Sequence, residues 1–181
     1  MKIIKTELEG CLIIEPTVFK DSRGYFFESH NTDHFNKALG QNVSFVQDNQ
    51  SFSTRGVVRA LHYQKGGSAQ AKLIHVLNGV ILDVAVDLRP NSKTYGEYFS
   101  IELSSENKKQ LFVPRGFAHG FSVLSDTAEV LYKCDNYYNK ESEGGIIYND
   151  STLNIDWKLK SEEIKVSQKD LVLPTFKSAL L

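Results

Sequence analysis

The chain has 181 residues, with 21 Lys+Arg against 22 Asp+Glu for a formal net charge of −1, 41% hydrophobic and 24% charged. This is the composition of a soluble globular chain long enough for one domain over residues 1–181 with a sizeable core. It leaves no global field to draw nucleic acid or an anionic membrane, so an anionic ligand has to be held by a few placed cations. Cys11 and Cys134 are the only cysteines. So far apart, they make neither a disulfide framework nor a CxxC metal site, and they fit as small packed hydrophobes. No apolar run approaches the roughly 20 residues of a membrane span. Residues 1–7 lack the apolar stretch of a signal peptide, so the expected location is a reducing cytoplasm.

Short β-type runs dominate in chain order. Residues 11–14, 25–29, 43–46, 57–63, 73–77, 80–86, 98–103, 111–113, 121–124, 130–134 and 145–148 read as strands. Asn78-Gly79, between two apolar runs, predicts a two-residue type I′ hairpin. After it Val80, Leu82, Val84 and Val86 share one face, while Asp83 and Asp87 share the other. Thr32–Leu39 reads as a helix, with Asn31 as its N-cap and Gly40 as its stop. Single helical turns are expected over 104–109 and 161–164. Many short strands with few helices define an antiparallel sandwich or barrel, best fitted by an all-β jelly roll.

The stretch Gly56-Val57-Val58-Arg59-Ala60-Leu61-His62-Tyr63-Gln64 sets a guanidinium and an imidazole into an apolar run. Buried Arg and His are costly unless paired or used, so this strand reads as the floor of a site. Strict alternation puts Arg59 and His62 on opposite faces. Either a bulge re-aims one of them or only one lines the site. Pro114-Arg115-Gly116-Phe117-Ala118-His119-Gly120 carries the Pro-x-Gly-x-x-His spacing of the second motif of cupin jelly rolls. Metal-binding cupins also carry a His-x-His pair in their first motif. Here that place reads His62-Tyr63-Gln64, one ligand short of a usual metal site, so no metal is expected and His119 reads as a hydrogen-bonding contact. Tyr132 ends a strand whose apolar face includes Ala128 and Val130. A phenol there either donates a proton or caps the core. Tyr138 lies in turn-like surroundings that suit stacking on a ring or base. Ser167-Gln168-Lys169-Asp170 is a charged turn that matters if the fold brings Asp170 to His62, where a carboxylate fixes the imidazole tautomer.

Together these residues resemble the dTDP-4-dehydrorhamnose 3,5-epimerases, metal-free cupins that act on nucleotide-linked 4-keto-6-deoxysugars. The resemblance runs over essentially the whole chain. It covers residues 19–28, Gln47-Asp48-Asn49-Gln50-Ser51, 59–64, Gln70-Ala71-Lys72-Leu73, 114–121, Tyr132-Lys133, Tyr137-Tyr138 and 167–170. It implies that His62 is the catalytic base, Asp170 its carboxylate partner, Tyr132 the proton donor on the opposite face of the sugar and Lys72 the cation near the keto oxygen. It implies substrate contacts from Arg23, Glu28, Gln47, Asp48, Asn49, Arg59, Lys72, His119, Glu143 and Lys169. Tyr138 would stack on the thymine, and Phe19 and Phe26 would help hold the nucleoside. The family is homodimeric, with the partner chain contributing to the nucleotide pocket, and works without a cofactor. The implied reaction inverts C3 and C5 of dTDP-4-dehydro-6-deoxy-D-glucose through an enolate. The alternatives are inversion at C3 or C5 alone on a related nucleotide sugar, and a non-catalytic sugar-nucleotide-binding cupin. Ala60 stands where a glycine is usual, and Lys65-Gly66-Gly67-Ser68 replaces a more proline-containing loop. Both bear on sugar preference rather than on reaction type.

Overall fold

Two antiparallel sheets enclose the main core in the computed structural model, which describes residues 1–179, with Ala60 described by its backbone alone. The six-stranded sheet has the order β1 (Lys2–Lys5), β2 (Leu12–Glu15), β10 (Gln110–Val113), β7 (Lys72–Asn78), β12 (Thr127–Cys134), β5 (Gln47–Thr54). The five-stranded sheet has the order β13 (Glu143–Gly145), β6 (Val58–Gln64), β11 (Phe117–Val123), β8 (Val80–Asp87), β9 (Tyr98–Ser104). From β5 onward the chain switches sheet at every connection except β8 to β9. That is the jelly-roll path, in which strands adjacent in sequence seldom pair. A small hairpin of β3 (Phe19–Asp21) and β4 (Gly24–Phe26) belongs to neither sheet.

Apolar side chains from both sheets fill the space between them, among them Ile74, Val76, Leu111 and Val130 from one and Ile81, Ala85, Leu103 and Phe121 from the other. The outer face of the five-stranded sheet is also covered. Leu82, Val84, Val86, Leu61 and Ala118 pack there against Ile146, Leu153 and Trp157 of the C-terminal segment. Strand β8 is therefore buried on both faces. Asp83 and Asp87, which share the inward face with Ile81 and Ala85, are fully buried acids rather than solvent-facing ones. Helix α1 (Thr32–Leu39) closes the outer face of the other sheet through Phe35, packed on Ile14, Leu73 and Phe112. It is capped as its sequence predicts: the Asn31 side chain accepts from the His34 amide, and Gly40 turns left-handed at φ 72°.

Three expectations are corrected. Residues 43–46 form an extended connector whose Val43 and Phe45 pack on the α1 cluster, and the strand is the polar run that follows, β5. Residues 104–109 begin in β9 and form a turn rather than a helical one, because Asn107 accepts from the Ser104 and Lys109 amides. Asn78-Gly79 makes no hairpin, since β7 and β8 lie in different sheets. It is a corner between sheets, and the left-handed Gly79 (φ 83°) passes so close to β12 that a Cβ would sit 2.1 Å from the Thr127 carbonyl oxygen. Gly79→Ala is thus expected to cost about 3 kcal/mol or more, from backbone strain plus the clash. Urea denaturation checks this; wild-type stability in the variant would refute the close approach.

Candidate active site

Toward one end of the sandwich the inward residues change from apolar to polar, and the sheets part around a cavity of about 760 Å³. Strand β5 shows the change. Gln47, Asn49 and Ser51 line the cavity, while Asp48, Gln50 and Phe52 are exposed on the other side. Opposite, β6 contributes Arg59 and His62, and β11 contributes His119. Strand β12 pairs with both β5 and β7, so Tyr132 and Lys72 enter the cavity from the six-stranded sheet. The C-terminal segment closes one wall with Ser167, Lys169 and Asp170.

A β-bulge answers the question of Arg59 and His62. Strand β6 pairs His62 with His119 and Arg59 with Phe121, so Ala60 and Leu61 together oppose Gly120 alone. The extra residue shifts the alternation by one, and both side chains face the cavity. The Ala60 side chain, where glycine is usual in the resembled family, lies outside the described residues. His62 Nε2 stands 3.2 Å from Asp170 Oδ1. That carboxylate is set by helix α2 (Gln168–Leu171), whose N-cap Ser167 accepts from the Asp170 amide. His62 Nδ1 is buried with no hydrogen-bond partner among the described residues. With Nε2–H donated to Asp170, its lone pair is uncommitted.

The Lys72 ammonium lies 5.8 Å from the centre of the Tyr132 ring. Burial holds Lys72 below the usual lysine range, while Cys134 and Asp83 pull it back up. Burial, with Cys134, pushes the Tyr132 phenol up. Arg59 Nε donates to Ser53 Oγ at 3.1 Å, and His119 Nε2 meets Asp83 Oδ1 at 2.8 Å. At the rim Tyr138 donates to Glu143 at 3.0 Å, and Lys169 donates to the other carboxylate oxygen at 2.6 Å. Burial works against the Glu143 charge, but these two bonds outweigh it and hold the carboxyl below the usual range. Gln47 ties the rim to the interior: it accepts from the Tyr138 amide and donates to Asn49, which in turn reaches the Cys134 sulfur.

The cavity therefore gathers His62, Asp170, Tyr132, Lys72, Gln47, Asn49, Arg59, His119, Tyr138, Glu143 and Lys169. Five expected residues stand elsewhere. Asp48 is on the outward face of β5, paired with Lys133 at 3.0 Å, because alternation turns it away from its neighbours Gln47 and Asn49. Phe19, Arg23 and Phe26 line a separate hollow of about 440 Å³ on the β3–β4 hairpin, where Arg23 pairs with Asp21. Glu28, just beyond it, holds His34 and Asn31. Ser51, Gln64, Gln70 and Lys165 also line the cavity and were not expected from the sequence. Ser51, Gln64 and Gln70 each lie within a stretch already noted, whereas Lys165 is brought in only by its bridge to Val57 across the sheet edge. Among the described residues no group of three or more His, Cys, Asp or Glu side chains is arranged to hold a metal ion, and no helix is long and apolar enough to cross a membrane.

A jelly roll that sets a histidine–carboxylate pair, a phenol and an ammonium around one polar cavity defines an enzyme of the cupin class. The family described as dTDP-4-dehydrorhamnose 3,5-epimerase matches residues 5–178, and the chain belongs to it. The dTDP-4-dehydrorhamnose 3,5-epimerase of Salmonella typhimurium is 49% identical over 181 residues, spanning 100% of this chain and 98% of the relative. The crystal structure of the enzyme of that name from Elizabethkingia anophelis is 58% identical with a TM-score of 0.94, over 98% of this chain and 97% of that one. The dTDP-6-deoxy-D-glucose-3,5-epimerase of Legionella pneumophila, solved with dTDP-4-keto-L-rhamnose, is 45% identical with a TM-score of 0.94, over 98% of this chain and 93% of that one.

Both thiols are fully buried; burial pushes Cys11 up to about 12 and raises Cys134, which lies under Lys72 and Asn49. At pH 8 a disulfide thiol reagent is expected to label neither cysteine in the folded protein and both after denaturation. Rapid labelling of native Cys134 would mean that the cavity wall is open to solvent.

Proposed function

We propose that this chain inverts C3 and C5 of dTDP-4-dehydro-6-deoxy-D-glucose to give dTDP-4-dehydro-L-rhamnose, by removing and returning protons through an enolate. The observation that carries this reading is that His62 and Tyr132 enter one cavity from opposite sheets, with Lys72 beside the phenol. Membership of the epimerase family supports it at the level of the reaction. A C–H beside a ketone is a weak acid, and breaking it near neutral pH needs a positioned base and a charge to steady the enolate. In this reading His62 takes the proton, with Asp170 fixing its tautomer and balancing the imidazolium that forms. The Lys72 ammonium faces the developing oxyanion, where a partly dry site makes that attraction far stronger than water would. Tyr132 returns a proton from the other side. Its upward shift keeps the phenol protonated at neutral pH, as a donor must be. C3 and C5 both flank the C4 carbonyl, so one base, one acid and one cation serve both carbons after a small shift of the ring.

The pyrophosphate needs cations, and Arg59, Lys165 and Lys169 line the cavity to meet it. Arg23, Phe19 and Phe26 complete the site from a second copy of the chain. Phe19 is 63% and Phe26 71% exposed on an isolated hairpin, a pair of aromatic surfaces that a partner would cover. Each protomer of the proposed homodimer thus lends its hairpin to the other.

Four measurements test these assignments. His62→Ala is expected to lower kcat by about 10³-fold with dTDP affinity nearly unchanged, and a wild-type rate would remove His62 as the base. In heavy water the wild-type enzyme should place deuterium at both C3 and C5, read by NMR. Label at one carbon marks a mono-epimerase, and label at neither marks a binding protein. Tyr132→Phe should still exchange a sugar proton but complete fewer inversions. For the dimer, Arg23→Ala and His62→Ala protomers, each nearly inactive alone, should regain activity when unfolded and refolded together. Absence of complementation would place Arg23 outside the partner's site.

A further inference from the structure

Strand β8 carries two buried acids on one face, and they are treated differently. Asp87 is saturated: Arg89 grips both oxygens, and Ser92 and Thr94 hydroxyls and the Arg89 amide add further bonds. It pins the loop after β8 and needs no other role. Asp83 is equally inaccessible, yet only Oδ1 is bonded, to His119 Nε2 at 2.8 Å. Its Oδ2 is buried with no hydrogen-bond partner among the described residues. A buried carboxylate left half-satisfied is a standing cost to folding, and it persists where the charge itself is used.

The surroundings say what for. His119 lines the cavity on its other side and pairs in register with His62. Asp83 also acts electrostatically on Lys72, across the gap between the sheets. The remaining titratable groups near that ammonium are Tyr132 and Cys134 from β12, with Arg59 and His62 from β6 around the same cavity, while β10 (Gln110–Val113) brings none. Asp83 is therefore a buried anion behind His119, outside the cavity lining itself.

We propose that Asp83 is a positioning residue of this site: it holds the His119 ring through Nε2–H, turning Nδ1 to the cavity. The proposal rests on the reading of this cavity as the epimerase site. Asp83 touches no substrate atom in this account and acts through His119, which lines the cavity.

The test is Asp83→Asn, which keeps shape and removes charge. At neutral pH kcat should fall tenfold or more while dTDP affinity stays within threefold. The ¹⁵N shifts of His119, measured without turnover, should change from a fixed Nε2–H form to a mixture of tautomers. An unmoved His119 spectrum overturns the proposal. So does a loss of activity that only tracks a loss of dTDP binding and melting temperature, which is what a purely structural residue would give. Should the variant fail to fold, the wild-type spectrum decides: a neutral His119 carrying its proton on Nδ1 overturns the proposal. His62→Ala judges the underlying reading separately, because an active His62→Ala enzyme removes that reading whatever His119 does.

Discussion

Charge inside a β-sandwich has to be answered by other charge, and this constraint organises the molecule. Between the two sheets most of the volume is aliphatic and aromatic, and an ion there is expensive unless it has a partner. The polar end of the cavity meets the cost with pairs: His62 with Asp170, His119 with Asp83, Glu143 with Lys169 and Tyr138. Lys72 is the exception. Among the described residues it has no ion-pair partner within the distances that define the others, and the burial that pushes its proton off is opposed only in part, by Cys134 and Asp83. A poorly compensated ammonium at the end of a cavity is primed for an anion that arises there, which is what an enolate is.

The backbone turns this requirement into geometry through a few local devices. A single extra residue in β6 brings a guanidinium and an imidazole to one face. The sheet-switching path of the jelly roll puts phenol and imidazole on opposite walls, which in the proposed reaction lets proton removal and return come from different directions. A one-turn helix near the end of the chain, capped by Ser167, presents the carboxylate that the imidazole needs. The connection between β8 and β9 is held separately, by Asp87 and Arg89.

How much of this could be read beforehand follows the range of the interactions. Helix α1 was legible to the residue, because its caps and apolar spacing are local chemistry. The apolar strands were legible in place though not in length. Strand β5 was hidden because its inward side chains, Gln47, Asn49 and Ser51, face a cavity, and a strand without an apolar face looks like a loop. Asn78-Gly79 was misassigned since a hairpin and a corner between sheets ask for the same left-handed glycine, and only the tertiary partner distinguishes them. Asp83 reads as a solvent-facing residue by alternation. It is buried because its face of β8 looks into the space between the sheets, while the C-terminal segment covers the apolar face on the other side. The roles of His62, Lys72, Tyr132 and Asp170 came from resemblance, and spacing alone would not have joined residue 62 to residue 170.

That late carboxylate has a developmental meaning. The segment that delivers Asp170 to His62 also lays Ile164, Val166 and Phe176 against the outer face of the five-stranded sheet. While the chain is being synthesised, both sheets can be complete before this stretch leaves the ribosome. The imidazole is then present but unpartnered, and the sheet's back is bare. Docking the tail covers the sheet's back and brings the carboxylate to the imidazole in the same event.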